Sequence, residues 1–403
     1  MSAPMDRKQQ KLQKKLEKAR IKEEKYYLAS QWTLMRRKLG KHKLAKVSLI
    51  ILGFLYLVAL FGDFIAPYNL TAYQSSTVSV PPTKIYFTDE NGLTAPYVHK
   101  TTWEKYKSLK EKQEAQKRAK EQGIAFQAQH LVEDTSTRYT VQFFVHGTPY
   151  KVLFGLAESD LHLFGVRDEN GNPGDIFLFG TDNMGRDLFS RIVLGSQVSL
   201  TIPFAGTLIS FILGLLLGSI SGYFGGWVDA VIQRVIEVLN SLPSLPLWMA
   251  LSAAIPAGIP PVQMYLLITV ILSLIGWTGL ARVVRGKFMS LKNEDYVMAA
   301  RLAGVSNIKI IFKHLVPGFM SYLIVSLTLG IPSMIIGETS MSFLGLGIQS
   351  PATSWGVLLK ETQEISAIAS HPWCLIPLIF VVITVLAFNF LGDGMRDAAD
   401  PYK

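Results

Sequence analysis

Side chains able to carry out catalysis are sparse in this chain of 403 residues. A phosphate-binding loop ends in Gly-Lys followed by Ser or Thr, but the chain has Gly-Lys-His at 40–42 and Gly-Lys-Phe at 286–288. A serine nucleophile elbow, a paired-cysteine metal site and a His-Glu-x-x-His run are also missing from the sequence. We therefore expect no catalytic residue and no cofactor site on this chain.

Histidine and cysteine are the other residues that could indicate chemistry. The single cysteine, Cys374, excludes an intramolecular disulfide and a cysteine metal cluster. Four histidines, His99, His130, His146 and His162, fall in one stretch, but their spacing matches no familiar ligand pattern. Ordinary surface histidines explain them better than a metal site does.

Binding to a partner is indicated at 282–317, a charged segment between two apolar runs. It predicts a short helix, a break at Gly304 and a second helix that Pro317 stops. Small residues would let another surface approach the backbone, apolar side chains would insert into that surface, and basic ones would surround it. The small residues are Ala299, Ala300, Ala303 and Gly304, the apolar ones Tyr296, Val297, Leu302 and Val305, and the basic ones Arg282, Arg301, Lys309 and Lys313. From these features alone, an amphipathic helix lying on lipid headgroups is an equal alternative.

Composition places this segment in a membrane protein. Hydrophobic residues make up 49% of the chain and charged residues 17%. The runs 192–228, 238–281 and 315–337 contain no charge at all. Because about 20 apolar residues cross a bilayer, each run is long enough to do so. The sequence predicts an integral membrane protein.

Six membrane-spanning helices are predicted from apolar length and helix breakers. They cover about 45–66, 198–222, 230–255, 263–283, 319–337 and 373–391. The prolines and glycine at 256–261 supply the turn between the third and fourth. The uncharged run 339–359 contains Gly and Pro, which favours a folded loop or re-entrant turn. Arg234 and Glu237 are the ionisable residues expected within the middle spans.

The largest soluble piece, about 68–177, predicts a small α+β insert outside the cytoplasm. A charged helix is expected at 104–121, and a strand at 138–145 where Tyr139, Val141, Phe143 and Val145 alternate. His-Gly-Thr-Pro at 146–149 predicts a turn. The insert could contact a substrate-binding protein, gate the outer mouth, or be a structural addition, and the sequence does not choose among these.

Charge placement predicts the orientation. Residues 1–46 hold 15 Lys and Arg against four acidic residues, and 282–317 holds seven against two. By the positive-inside tendency, the N-terminus, the 282–317 segment and the C-terminus face the cytoplasm.

The sequence of the N-terminal tail predicts a charged helix that is solvated or bound to headgroups rather than a cleavable signal peptide. Nucleic-acid binding is disfavoured, since base-stacking aromatics are not interleaved with these basic residues.

Several motifs share an order with one protein family. Paired Ala299 and Ala300, then Gly304 and Pro317, resemble the cytoplasmic docking loop of ABC importer permeases, although Met298 stands where the family usually has Glu. The segments 179–195, 222–229, 342–349, 354–356 and 392–401 resemble the dipeptide, oligopeptide and nickel branch of that family. The resemblance covers about 179–401 and leaves the tail and insert unexplained.

The resemblance implies a type I ABC importer permease fold with six transmembrane helices and alternating access driven by separate ATPase subunits. ATPase docking would fall to Glu294, Tyr296, Val297, Ala299, Ala300, Arg301, Gly304 and Pro317. Small polar residues and helix breakers that could border the translocation pathway are Ser241, Pro243, Ser244, Pro246, Trp277, Ser326 and Ser333. The implied partners are a second permease subunit, two subunits that bind ATP and Mg²⁺, an extracytoplasmic substrate-binding protein and membrane lipid.

The implied cargo is a peptide, with nickel chelates or oligosaccharides as alternatives on the same machinery. A gradient-driven carrier or channel and a membrane receptor or scaffold are the other functional classes. The predicted location is the inner membrane.

The predicted organisation has six parts. They are a basic cytoplasmic tail (1–44), a first span (45–67), the insert (68–178), an interfacial helix (179–197), a core (198–392) that contains the docking loop (284–317), and a C-terminal tail (393–403).

Overall fold

The computed structural model of the chain describes residues 31–72, 75–89, 92–122, 126, 128–152, 157–256, 258–349 and 352–399. The helix predicted for the N-terminal tail lies largely outside the described residues, as does the end of the 392–401 motif. The described part is a helical core carrying one small antiparallel sheet.

The elements are numbered here in chain order. The helices are α1 (Gln31–Leu39), α2 (Lys43–Leu60), α3 (Gly62–Ile65), α4 (Leu109–Gln122), α5 (Leu188–Phe224), α6 (Gly226–Ser241), α7 (Ser244–Ala253), α8 (Pro261–Leu291), α9 (Asp295–Leu302), α10 (Asn307–Lys309), α11 (Met320–Phe343), α12 (Trp355–Leu359), α13 (Ile365–Ser370) and α14 (Ile376–Ala399). The strands are β1 (Tyr86–Asp89), β2 (Gly92–Lys105), β3 (Gln129–Val152) and β4 (Ala157–Arg167).

Five helical segments are long and apolar enough to cross a membrane. They are Lys43–Leu60, Leu188–Phe224, Gln263–Leu291, Asn307–Phe343 and Pro372–Ala399. The bent pair α6 and α7 makes a sixth if it is counted as one span. The fold is therefore the predicted polytopic helical one, with five or six spans.

The third predicted span, 230–255, is not a continuous helix. Helices α6 and α7 meet at 87° across Leu242 and Pro243. Proline lacks the N–H that would continue the helical bonding, and it pushes the preceding residue into an extended conformation. Leu242 accordingly has φ −96° and ψ 134°.

Helix α5 is longer than predicted, because the expected interfacial helix at 179–197 and the expected span from 198 form one helix of 37 residues. Its N-cap residue is Asp187, whose carboxylate accepts a hydrogen bond from the Ser190 amide at 2.7 Å. The residues before it form a tight turn, in which Asp182 accepts bonds from the amides of Met184 and Arg186. Asp182 thus organises this turn.

A largely buried charge network joins this turn to the residues just after α12. Arg191 pairs with both Asp182 and Glu361, and Arg186 donates to Asp182 at 2.7 Å. Two cations and two anions balance, as burial requires, since an unpaired buried charge is costly. Burial raises the pKa of Glu361, with the nearby Asp182 carboxylate as the second cause.

Glycines bring α5 and α8 into backbone contact. A Cβ atom on Gly218 would lie 2.5 Å from the Ala281 carbonyl oxygen, and one on Gly214 or Gly222 would lie 2.9 or 2.7 Å from other α8 carbonyl oxygens. The spacing of four residues puts all three on one helix face. Small residues at this spacing let membrane helices approach closely, so van der Waals packing holds the pair together.

The loop after α11 is folded into the core, as predicted for 339–359. Trp355 is fully buried, donates from its indole nitrogen to the Ile192 carbonyl at 3.0 Å, and donates from its amide to Ser199 at 2.9 Å. Glu338 is also fully buried and accepts a bond from Ser342 at 2.8 Å. The sequence analysis missed Glu338 as an ionisable residue of this span, because it ended the span at 337 and α11 continues to Phe343.

The insert is α+β as predicted, with strand order β1-β2-β3-β4, every pair antiparallel, and α4 between β2 and β3. The turn predicted at 146–149 is wrong. Strand β3 continues through these residues. It pairs with β4 both before them, up to His146, and after them, from Tyr150, and the extra residues between these two positions form a bulge that shifts the register. His162 bonds the carbonyl oxygens of Ala66, just after α3, and Thr148, which ties the sheet to the core.

The C-terminal tail predicted to begin at 393 is mostly helical, since α14 extends to Ala399. Helix α1 of the N-terminal tail packs beside α14, and the imidazole of His42 lies 3.9 Å from the Asp397 carboxylate. Both ends of the described chain therefore meet on one side of the bundle.

We expect Gly218→Ala to destabilise the protein by about 1–3 kcal/mol, because the added methyl group overlaps the α8 backbone. Gly279→Ala in α8 is the matched control, since nothing lies within 4 Å of its added Cβ atom. The control should be neutral or stabilising by about 0.5–1 kcal/mol. Thermal unfolding of both variants in the same detergent measures the difference, and equal effects would contradict close helix packing.

Asp187 predicts a pH dependence of stability. Burial raises its pKa to about 7 in the folded chain, against roughly 3.9 when unfolded. The folded state therefore holds this proton more tightly, and stability falls as pH rises from about 4 to 7. Asp187→Asn keeps an acceptor for the Ser190 amide but cannot ionise. The free energy of unfolding of the variant should therefore fall less steeply between about pH 4 and 7, and at pH 8 it should equal or exceed that of the wild type. An unchanged slope would contradict the assignment.

Candidate functional site

The 282–317 segment folds around helix α9. Asp295 lies in its first turn and Arg301 in its last, which suits the helix dipole. Glu294 occupies the N-cap position, where its carbonyl oxygen accepts from the Val297 amide at 2.9 Å while its side chain makes no capping bond. Glu294 thus positions the helix start through its backbone.

Gly304 ends the helix as the sequence predicted. Its φ is +75°, a conformation that glycine adopts without strain. The Gly304 amide donates to the Arg301 carbonyl at 2.9 Å and the Val305 amide to the Ala300 carbonyl at 3.1 Å. This pair of bonds is the Schellman motif, which fixes the angle at which the chain leaves the helix.

Pro317 does not stop the second helix, contrary to the prediction. After α10 the chain forms a π-helical turn, Ile310–Leu315, and a 3-10 turn, Val316–Phe319, and passes directly into α11. Proline is tolerated in the first turn of such an element, since its missing N–H would have no partner there. Residues Asn307–Phe343 consequently form one helical path from the segment into a span.

Helix α9 has a buried face and an exposed face. Val297 and Ala300 are buried in a cluster with Ile310, Leu315 and Phe319. The prediction that Val297 would contact a partner is therefore wrong, and Ala300 also faces the protein's own interior. Val305 is partly buried against the same cluster. These contacts hold α9 on the core.

The exposed side of α9, together with α10 and the π-helical turn that follow it, carries five large apolar side chains, named here the docking patch. They are Tyr296, Met298, Leu302, Ile308 and Phe312. Leu302 is 88% exposed and Ile308 70% exposed. Of the other predicted docking residues, Ala299, Arg301, Gly304 and Pro317 are exposed in the same segment.

Tyr223, at the end of α5, bridges the two halves of this segment. Its hydroxyl donates to the Asn307 side chain at 2.7 Å, and the Arg301 guanidinium lies 5.2 Å from the centre of its ring. Close by, Arg285 of α8 makes two bonds of 2.5 and 2.6 Å to Asp229 of α6. The α5 terminus therefore connects the 282–317 segment, called the docking segment below, with the spans around it.

Comparison with known proteins gives the family. Residues 214–402 match the family described as binding-protein-dependent transport system inner membrane component, and residues 30–82 match the N-terminal TM domain of oligopeptide transport permease C. The dipeptide transport system permease protein of Bacillus subtilis is 40% identical over 237 residues, which cover 59% of this chain and 72% of that protein. The chain belongs to this family of transport permeases.

Other relatives carry related names. The oligopeptide transport system permease protein of Haemophilus influenzae is 42% identical over 224 residues, 55% of this chain and 70% of that protein. The glutathione transport system permease protein of Pectobacterium atrosepticum is 38% identical over 232 residues, 58% of this chain and 75% of that protein. The docking patch of the permease lies within the matched range 214–402, whereas residues 83–213, with the whole sheet, lie outside both family models.

One predicted pathway residue of the permease, Ser326, lines a cavity of about 1040 Å³ between α8, α11 and α14. Gly276, Tyr322 and Leu329 form apolar and aromatic walls, and Arg396 lies at the end formed by α14. The cavity has room for a small solute within the part of the chain that the structure describes.

The other pathway residues lie elsewhere. Ser241, Pro243, Ser244 and Pro246 are exposed at the corner between α6 and α7, and Ser333 is exposed on α11. Trp277 is buried against Ile236 and Ala281 and does not line this cavity.

The histidines of the insert are held apart by separate contacts. His99 bonds the Thr137 carbonyl, His146 pairs with Asp160, and His130 stacks on Tyr106. Among the described residues of the permease, no three His, Cys, Asp or Glu side chains lie close enough to hold a metal ion.

Sequence reasoning missed Tyr223, Asn307, Ile308 and Phe312 as parts of the site. Tyr223 lies in the 222–229 motif, which was noticed only as a resemblance. Ile308 and Phe312 follow at a helical spacing of four, so their pairing on one face was available from the pattern. The contact between residues 223 and 307 could not be read from spacing, because it depends on how α5 packs.

We expect Tyr223→Phe to loosen the docking segment, since it removes the hydroxyl bond to Asn307 and keeps the ring against Arg301. Loss of about 1 kcal/mol should raise hydrogen exchange of the 303–309 amides roughly fivefold. Asn307→Ala should have the same effect, and the double variant no more than either. The control is Tyr296→Phe, an exposed tyrosine in the same segment, which should exchange like wild type.

Proposed function

We propose that this permease is the translocation subunit of an ATP-driven peptide importer, and that separate ATPase subunits bind it at the docking patch. The observation that carries the proposal is the exposure of Leu302 and Ile308 beside the Gly304 turn. Large apolar side chains grouped on a surface and bordered by polar residues are typical of a protein interface. The buried face of α9 is satisfied within the chain, which leaves its exposed face for the partner.

Coupling follows from the continuity of the segment with the span. Force applied at the docking patch would pass through α10 and the turn at Pro317 into α11 along hydrogen-bonded helical backbone. It would also pass through Tyr223 into α5. Packed helices of this kind move as rigid bodies. ATP-driven movement at the patch would therefore shift α5 and α11 and would switch the cavity lined by Ser326 between inward and outward access.

The basic residues of this segment support a cytoplasmic location. Arg282, Arg301, Lys309 and Lys313 are exposed in the same segment as the patch. An excess of Lys and Arg marks the cytoplasmic side of a membrane protein. On this basis the docking segment and both termini face the cytoplasm, and the sheet lies on the opposite side of the inner membrane.

The cargo is proposed to be a peptide, because three similar permeases are named for dipeptide, oligopeptide and glutathione transport. Nickel chelates and oligosaccharides are the alternative cargoes, and a binding-protein assay with each would separate them. ATP and Mg²⁺ belong to the partner subunits in this scheme. A second permease subunit would complete the pathway, with Ser326, Ser333 and the exposed 241–246 corner as bordering residues.

We expect Leu302→Arg to weaken binding of the ATPase subunits strongly, because it places a hydrated charge within the apolar docking patch. A loss of about 2 kcal/mol or more corresponds to roughly 30-fold weaker binding. Leu93→Arg is the matched control. It makes the same chemical change at a leucine that is 91% exposed on the insert, away from the docking patch. The measurement is co-purification of the ATPases, followed by ATP hydrolysis with and without peptide-loaded binding protein.

Three outcomes are informative. Loss of the ATPases from Leu302→Arg alone supports docking at this patch. Retention of both the partners and the stimulated hydrolysis would show that the patch contacts lipid instead. Retention of docking without stimulation by any peptide would contradict the cargo and leave the docking assignment standing.

A further inference from the structure

The insert exposes two adjacent phenylalanines whose surroundings point to a specific partner. Phe143 and Phe144 in β3 are 66% and 63% exposed. Alternation along the strand predicted a half-buried position for Phe143, yet its ring lies outside the sheet core that Tyr139 and Val141 join. An aqueous surface does not favour two large neighbouring rings, so something apolar must cover them.

Phe144 also has an unusual backbone conformation. Its φ is +57°, in a region that residues with large side chains rarely adopt. The pairing of β3 with β4 keeps the same register on both sides of it, from Phe143 opposite Phe164 to Val145 opposite His162. The unusual backbone conformation is therefore confined to Phe144, and it changes the direction of that one aromatic side chain without shifting the strand. Such strain persists only where the surroundings maintain it.

The ring of Phe144 contacts Phe64, with ring centres 6.2 Å apart. Phe64 belongs to α3, which follows immediately after the first span, Lys43–Leu60. Eighteen helical residues extend about 27 Å, close to the roughly 30 Å of the hydrocarbon layer. Helix α3 and Phe144 therefore lie at the level where hydrocarbon meets headgroups.

The apolar surface is continuous from the span to the sheet. Leu57, Leu60 and Phe61 are exposed at the top of α2 and at its end, and Phe64 then connects them to Phe144. An exposed apolar face on a helix long enough to span the membrane suits contact with acyl chains, and Phe61, Phe64 and Phe144 continue that face toward the sheet. Aromatic side chains are enriched at this boundary in membrane proteins.

We propose that Phe143 and Phe144 insert into the outer boundary of the lipid bilayer and anchor the sheet of the insert to the membrane surface. The occupant of this face is the boundary between acyl chains and headgroups. Anchoring there, together with the bonds of His162 to Ala66 and Thr148, would hold the sheet at one height above the first span.

The test uses nitroxide labels on the full chain in lipid nanodiscs. The sole native cysteine is buried, so Cys374→Ser supplies the background for one introduced cysteine at a time. Phe143→Cys and Phe144→Cys are the test positions. Glu114→Cys on the polar helix α4 is the aqueous reference, and Ile50→Cys, exposed in the middle of α2, is the hydrocarbon reference. Power saturation compares collisions with oxygen, which concentrates in lipid, and with a nickel chelate, which stays in water.

We expect the oxygen-to-nickel collision ratio at 143 and 144 to fall between those of the two references. A ratio equal to that at position 114 would place the rings in water and overturn the proposal. Low collision rates with both reagents would mean that protein covers the patch, which also overturns it.

A second measurement needs no substitution. A carbene-generating photoprobe held at the headgroup boundary should label the wild-type peptide that contains residues 143 and 144, and should leave the peptide from α4 unlabelled. Absence of label on the first peptide would contradict membrane contact even if a cysteine variant failed to fold.

Discussion

The close contact between α5 and α8 is the constraint on which the arrangement of the site depends. Gly218 lies against the Ala281 backbone, and two further glycines four residues away on either side extend this contact along the helix. Because no side chain separates the two helices, their relative position is set by backbone atoms and leaves little freedom for sliding. At the end of this contact, Tyr223 and Arg285 are brought to the places where they bond Asn307 and Asp229.

The docking segment is built outward from that base. Its internal face is filled by Val297 and Ala300, and its turn is closed by Gly304. The exposed apolar side chains therefore remain after the segment has satisfied its own packing. A surface that is rigid before binding costs less ordering entropy when a partner attaches, and it transmits displacement rather than absorbing it. The same continuity through Pro317 makes the surface part of the span that must move.

The opposite end of the bundle is held by polar interactions. The paired charges of Arg191, Asp182 and Glu361 connect the start of α5 to the loop after α12, and His162 connects the sheet to the end of the first span. Buried charge pairs tolerate little rearrangement, because separating them leaves an uncompensated charge. The two ends thus differ in what they present, with an exposed apolar patch at one and a largely buried network of paired charges at the other.

Local signals in the sequence were sufficient for much of this protein. Apolar length identified the spans, Gly304 identified the turn, and ordered motifs indicated the family, because each depends on residues close together in the chain. Element boundaries were less well predicted. The 179–197 helix merged with a span, and Pro317 did not end a helix, since tertiary packing extends a helix wherever neighbouring elements bury it. The break at Leu242 was not predicted, since the apolar length of 230–255 indicated one span in spite of Pro243 and Pro246.

Only the tertiary structure decided which side of each helix faces a partner. Val297 and Leu302 are both apolar and lie in the same short helix, yet one is buried and the other is almost fully exposed. The sequence by itself determined that this segment is a helix with a glycine turn, since propensity and capping act locally. It could not determine which apolar residues remain free, because burial depends on the elements packed against them, and those come from distant parts of the chain.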